Sequence, residues 1–281
     1  MGYKMVKSLS QRITESRRLL KNQYAYLDDM GSYSALPQQV EGKYSSLGRS
    51  RRKNCRHSNA EIEAKVINLQ RRMWQDRSQI WLDAAPPAPI DILDPAIAIR
   101  LIGYDFHLDE TLGQYFSDEK HVEVAGTIDN SSKQVRISRQ FPYDVRNFTA
   151  AHELGHALLH DARGLHRDRP LDGAIISRDP IEIEADKFAS YFLMPGKLVK
   201  AYFKKLFGTD NFFLNEDTGF ALTRGNALDL RRNCRTLRDL TKILASTESY
   251  NGLRFVSLAN QFRVSTEAMA IRFEELGLVT I

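Results

Sequence analysis

His152, Glu153 and His156 stand in the stretch FTAAHELGHALLH, residues 148–160, as a His-Glu-x-x-His motif. On a helix, side chains four apart share a face, so the two imidazoles can offer nitrogen to one zinc ion. Glu153 is rotated about 100° from His152, which sets its carboxylate beside such an ion rather than on it. That is the position of a general base: it takes the proton of an attacking water and returns it to a leaving amine. The seven histidines among 281 residues put the chance expectation of the motif at about 0.01, so coincidence is a poor explanation.

A catalytic zinc usually takes three protein ligands and keeps one open position, so a third ligand is needed. A further histidine six residues after His156 would serve, but that position is Ala162. His160 lies about 80° round the helix from His152, and His166 falls in a polar loop. The acidic residues of IEIEAD, 181–186, remain. Glu182 and Asp186 are four apart and can act together, one as ligand and the other as support for a histidine; Glu184 points about 200° away. In the opposite assignment Glu184 is the ligand, and Phe188, four residues on, offers it no polar support. The spacing favours Glu182.

The elements that must carry these residues can be read from pattern. A helix over residues 145–160 holds the motif, and the segment 181–194 is helical by its apolar spacing. Upstream, PAIAIRLIGYDFHL suggests a short helix leading into a strand, and VEVAGTIDNSSKQVRIS two strands around Asp129 to Ser132. Ser58 and Glu61 have the spacing of a capping box, opening a helix with apolar Ile62, Val66, Leu69 and Met73. Pro86, Pro87 and Pro89 break the chain after it, and beyond Pro195 the pattern is helical. The expected organisation is a basic, partly helical extension over 1–83, a Pro-rich linker over 84–95, a catalytic domain over 96–200 and a helical region over 201–281.

Charge is distributed unevenly. Residues 1–80 hold 16 Lys/Arg against 7 Asp/Glu, and the remainder 24 against 28. A basic arm on a mildly acidic body points to DNA or another nucleic acid as a partner of the arm, with RSRRKNCRH, 49–57, contacting phosphate. Cys55 and Cys234 are too few and too far apart for a disulfide framework. No run of about 18 apolar residues and no apolar leader is present, so no membrane and a cytoplasmic setting are expected. The last two helices have helix-turn-helix spacing that could set Arg272 against DNA, but Glu267, Glu274 and Glu275 argue for a packing role.

The run RNFTAAHELGHALLH followed by EIEADKFASYFLMP resembles the ImmA/IrrE zinc metallopeptidases, whose HExxH helix precedes an E-x-x-A-(N/D)-x-F-A helix ending in L-(M/L)-P. The upstream AGTID and VRIS are similar to the strands that precede the motif in that family, and LANQFRVSTEAMAIRFEELGLV to its helical tail. The resemblance is strongest over 126–195 and absent over 1–80. It implies an α+β, zincin-like core with a small sheet. It also implies His152, His156 and Glu182 as ligands of Zn2+, Glu153 as the catalytic carboxylate, and a helix-turn-helix repressor as substrate, its loss derepressing stress, mobile-element or defence genes. The competing reading is a non-proteolytic zinc protein that binds DNA or captures the repressor.

Overall fold

The computed structural model describes residues 57–117, 120–160, 165–167, 179–223, 230 and 234–280. The expected basic, partly helical extension up to residue 56, Cys55 included, lies outside them. Mixed helix and small sheets give an α+β architecture.

Helix α1, Asn59–Gln75, starts where its capping residues predict: the Ser58 side chain accepts from the Glu61 backbone N–H, and Glu61 accepts from the Ser58 backbone N–H. Its buried stripe is Ile62, Val66, Leu69 and Met73. After the short α2, Arg77–Ile80, the Pro-rich stretch buries Ile92 and Leu93, and Asp94 caps α3, Pro95–Leu101. These side chains share one hydrophobic core with those of the residues that follow. The stretch between Trp81 and Asp94 therefore joins elements of a common core.

Strands β1, Asp105–Asp109, β4, Gly126–Asp129, and β5, Gln134–Ser138, form one mixed sheet, and β2, Gln114–Ser117, pairs separately with β3, Lys120–Glu123. β1 runs parallel to β5 and β4 antiparallel to it, with Ile128 opposite Val135. The turn expected between β4 and β5 is held by the Asp129 carboxylate, which accepts from the Ser131 backbone and the Ser132 hydroxyl. Ile128, Val135 and Ile137 are fully buried. Against the sheet lies α4, Tyr143–Leu159, and the segment after it returns as β6, Leu165–Arg167, on the outer side of β4.

Helix α5, Pro180–Leu193, crosses α4 closely, and α1 also packs against it. The approach depends on Gly155: a Cβ there would lie 3.1 Å from the Ala185 Cα and carbonyl oxygen and from the Phe188 Cβ. Two of these are backbone atoms, which cannot swing away. We expect Gly155→Val to cost about 1–3 kcal/mol by overpacking the crossing. Urea unfolding measures this, and an unchanged midpoint at unchanged slope would refute the close-packing argument.

The C-terminal part departs from an all-helical expectation. It holds α6, Gly196–Phe207, α7, Glu216–Thr223, α8, Leu237–Ser246, α9, Leu258–Gln261, and α10, Thr266–Glu275. Two-residue strands lie between and after them: β7, Phe212–Phe213, β8, Ser249–Tyr250, β9, Leu253–Arg254, and β10, Val279–Thr280, with β10 parallel to β7. Arg272, which the helix-turn-helix spacing could have set against DNA, is buried, as a packing role requires. Its Nε donates to the Met194 carbonyl, its guanidinium lies over the Tyr191 ring and Nη1 meets Glu275. Glu267 and Glu274 are taken up by Arg238, which bridges α8 to α10 in forked geometry.

Candidate metal centre

Helix α4 is buried along most of its length, and Glu153 is fully so. His152 and His156 bring their Nε2 atoms to 2.9 Å from each other. From α5, Glu182 places Oε2 at 3.2 Å from the His152 Nε2 and 3.6 Å from the His156 Nε2. The three ligand atoms named from the sequence therefore converge. Glu182 is the member nearest solvent, with its side chain 24% exposed against 4% for each histidine, so the group opens on the Glu182 side.

The surrounding contacts decide which nitrogens carry protons. Asp186 Oδ1 stands 2.8 Å from His152 Nδ1; an ionised carboxylate only accepts, so Nδ1 donates and Nε2 presents a lone pair. His156 is fixed through one more residue. Glu184 Oε2 lies 3.1 Å from His160 Nε2, which makes that nitrogen the donor and leaves the His160 Nδ1 as an acceptor. The His156 Nδ1, 3.1 Å from it, must then donate, and the His156 Nε2 is again a lone pair. Burial lowers the His160 pKa, opposed by its hydrogen bond and charge interaction with Glu184, which accords with a neutral ring.

Two imidazole lone pairs and a carboxylate oxygen thus face a common point. Three electron-pair donors at 2.9–3.6 Å repel one another unless a cation lies among them. A His2Glu set with an open side suits zinc. The donor chemistry and tautomers fit that ion.

Glu153 sits under the first residue of β4: a Cβ added at Gly126 would lie 2.9 Å from Glu153 Oε1 and 2.6 Å from Thr149 Cγ2. A glycine there lets the strand pass over the carboxylate.

Asp186 supports His152 in the manner the spacing suggested. The spacing gave Glu184 no role, yet Glu184 accepts from His160 and from His57. His160, set aside as a ligand, is the partner of His156. These contacts depend on which helices meet, and His57 is 127 positions from Glu184. A trace was nonetheless present in the sequence, because His156 and His160 are themselves four apart. Cys234, half-buried, has its thiol pKa raised by burial and, in the same direction, by Asp239, which makes it a poor thiolate ligand.

A family model described as the IrrE N-terminal-like domain matches residues 97–217, a span that contains both helices of the centre. Over that span the chain is similar to the ImmA/IrrE family, and the class this supports is a metallopeptidase. No curated protein matches the chain.

Proposed function

We propose that the protein is a zinc-dependent endopeptidase that cleaves a helix-turn-helix repressor and thereby derepresses stress, mobile-element or defence genes. The observation that carries the hydrolytic part is the convergence of His152, His156 and Glu182, with Glu153 on the same helix as the two histidines. The repressor as substrate rests on the family relationship. Nucleic-acid stimulation through residues 1–83 rests on their charge. A cytoplasmic site of action goes with such a substrate; among the described residues no helix is long and apolar enough to cross a membrane.

His152, His156 and Glu182 would hold the zinc, with Asp186 fixing the His152 ring. When bound, zinc supplies Lewis acidity, which makes water a usable nucleophile near neutral pH. Glu153 takes the proton from the attacking water as the oxygen adds to the peptide carbonyl. It then delivers that proton to the leaving amine, which departs neutral. Burial of Glu153 keeps competing solvent from its carboxylate.

The test is mass spectrometry of a repressor encoded beside the gene, after incubation with the zinc-loaded full chain, with and without DNA. A discrete cut that a chelator prevents is the expected result. Dependence of the cut on DNA would identify nucleic acid as an activator, and its loss on deleting residues 1–80 would place that effect in the arm. An intact repressor in every condition, despite stoichiometric zinc, would shift the reading to capture or direct DNA regulation.

A further inference from the structure

A second group of side chains lies beside the first: His57, His160 and Glu184, with ligand atoms all within 4.8 Å of one another. Glu184 Oε2 stands 2.9 Å from His57 Nδ1 and 3.1 Å from His160 Nε2, and the His57 backbone N–H donates to Glu184 Oε1 at 3.3 Å. Lys65 Nζ reaches His57 Nε2 at 3.1 Å while also donating to the Leu158 carbonyl. We infer that His57, Glu184 and His160 are positioning residues of the metal centre, and that the segment beginning at His57 is thereby built into it. The inference rests on the zinc-site reading of His152, His156 and Glu182.

One proton assignment satisfies every contact. Lys65 donates to the His57 Nε2, so the His57 Nδ1 carries the proton and donates to Glu184. His160 Nε2 donates to the same carboxylate oxygen, and the His156 Nδ1 donates to the His160 Nδ1. The chain ends at His156 Nε2 with its lone pair facing the His152 Nε2 and Glu182. Reversing one ring reverses the next, because each imidazole between the carboxylate and the centre has one donor and one acceptor.

Both ligand histidines are therefore backed by a carboxylate of α5. Asp186 backs His152 directly, and Glu184 backs His156 through His160. Such outer partners orient a ligand ring and raise its basicity. Glu184 needs an anchor of its own, because an ion buried among helices is held only by donors around it. His57 supplies two of those donors, one from its ring and one from its backbone.

The same three residues could be read as a second His2Glu metal site. Lys65 argues against it: an ammonium already stands on His57, and the hydrogen bonds close without another cation. His57 also lies outside the span of the family match, so this support comes from the chain's own preceding segment. Displacing that segment would release Glu184 from His57 and loosen the hold on His156.

The experiment is zinc affinity and stoichiometry of the full chain by chelator competition, for wild type, His57→Ala, His57→Asn and Glu184→Ala. Thermal unfolding of the metal-free forms separates loss of fold from loss of metal. Wild type should bind one zinc. His57→Ala and Glu184→Ala should each weaken binding about 10–100-fold while the metal-free protein stays folded. His57→Asn, whose amide can donate to Glu184, should stay within about 3-fold of wild type. In the double variant the losses should not add, because both residues act along one path. Two-bond proton–nitrogen spectra of the metal-free wild type should show His160 protonated at Nε2.

His57→Ala binding zinc as tightly as wild type would overturn the inference, as would a His160 proton on Nδ1. A second equivalent of zinc in wild type, lost in His57→Ala, would replace it with a second metal site. Failure of wild type to bind any zinc would instead overturn the reading of the centre itself.

Discussion

Replacing Glu153 by Gln is expected to leave a folded chain that binds zinc as wild type does but hydrolyses peptide about 10²–10⁴-fold more slowly. The amide matches the carboxylate in shape, so the packing under Gly126, where a Cβ would come to 2.9 Å of Oε1, is preserved. What is lost is the capacity to take a proton. A buried amide cannot accept one at neutral pH, whereas the carboxylate can accept it from water and pass it to the departing nitrogen. The fall belongs in kcat, because the proton moves only as the transition state forms. Steady-state kinetics on a peptide spanning the cleavage site, with metal content measured on the same sample, checks the prediction. Unchanged turnover at full zinc content would remove Glu153 from the mechanism. The variant also separates two readings: a repressor-capturing protein should act as well with Glu153→Gln as without it, while a peptidase carrying the substitution should hold its substrate uncut.

Much of the centre was legible because its chemistry is local. His152 and His156 share a helix face by spacing alone, and Glu182 and Asp186 share another. The helix at Asn59 announced itself through Ser58 and Glu61, and the strands around Asp129 through alternation and turn residues. What pattern could not supply was the meeting of distant segments. His57 reaches Glu184 only because α1 packs on α5, and nothing in a run of basic residues announces that contact. Arg272 was legible in part. The acidic residues of its helix argued for packing over phosphate contact, but not that the Met194 carbonyl and the Tyr191 face would claim it, with Glu275, inside the fold. The short strands were equally out of reach, since Val279 and Thr280 gain their pairing from Phe212 and Phe213, far back in the chain. Two residues carry too little alternation to register as a strand.

Glu182→Ala should weaken zinc binding by well over the ~10–100-fold that loss of an outer partner costs, because it removes a donor atom from the centre itself. Glu182 is also the one charged member of the donor set, so its loss leaves two neutral imidazoles facing a dication. Its side chain is the most exposed of the three, so truncation opens the centre without leaving a closed cavity. The fold should therefore survive. Asp186→Ala supplies the internal comparison: it leaves all three donors in place and frees the His152 ring from its 2.8 Å partner, which puts it in the outer-partner range. Isothermal titration of both variants with zinc, alongside their metal-free melting temperatures, resolves the order. If Asp186→Ala lost more affinity than Glu182→Ala with both folds intact, Asp186 would be the better candidate for the third donor. The two carboxylates would then exchange roles across a single helical turn.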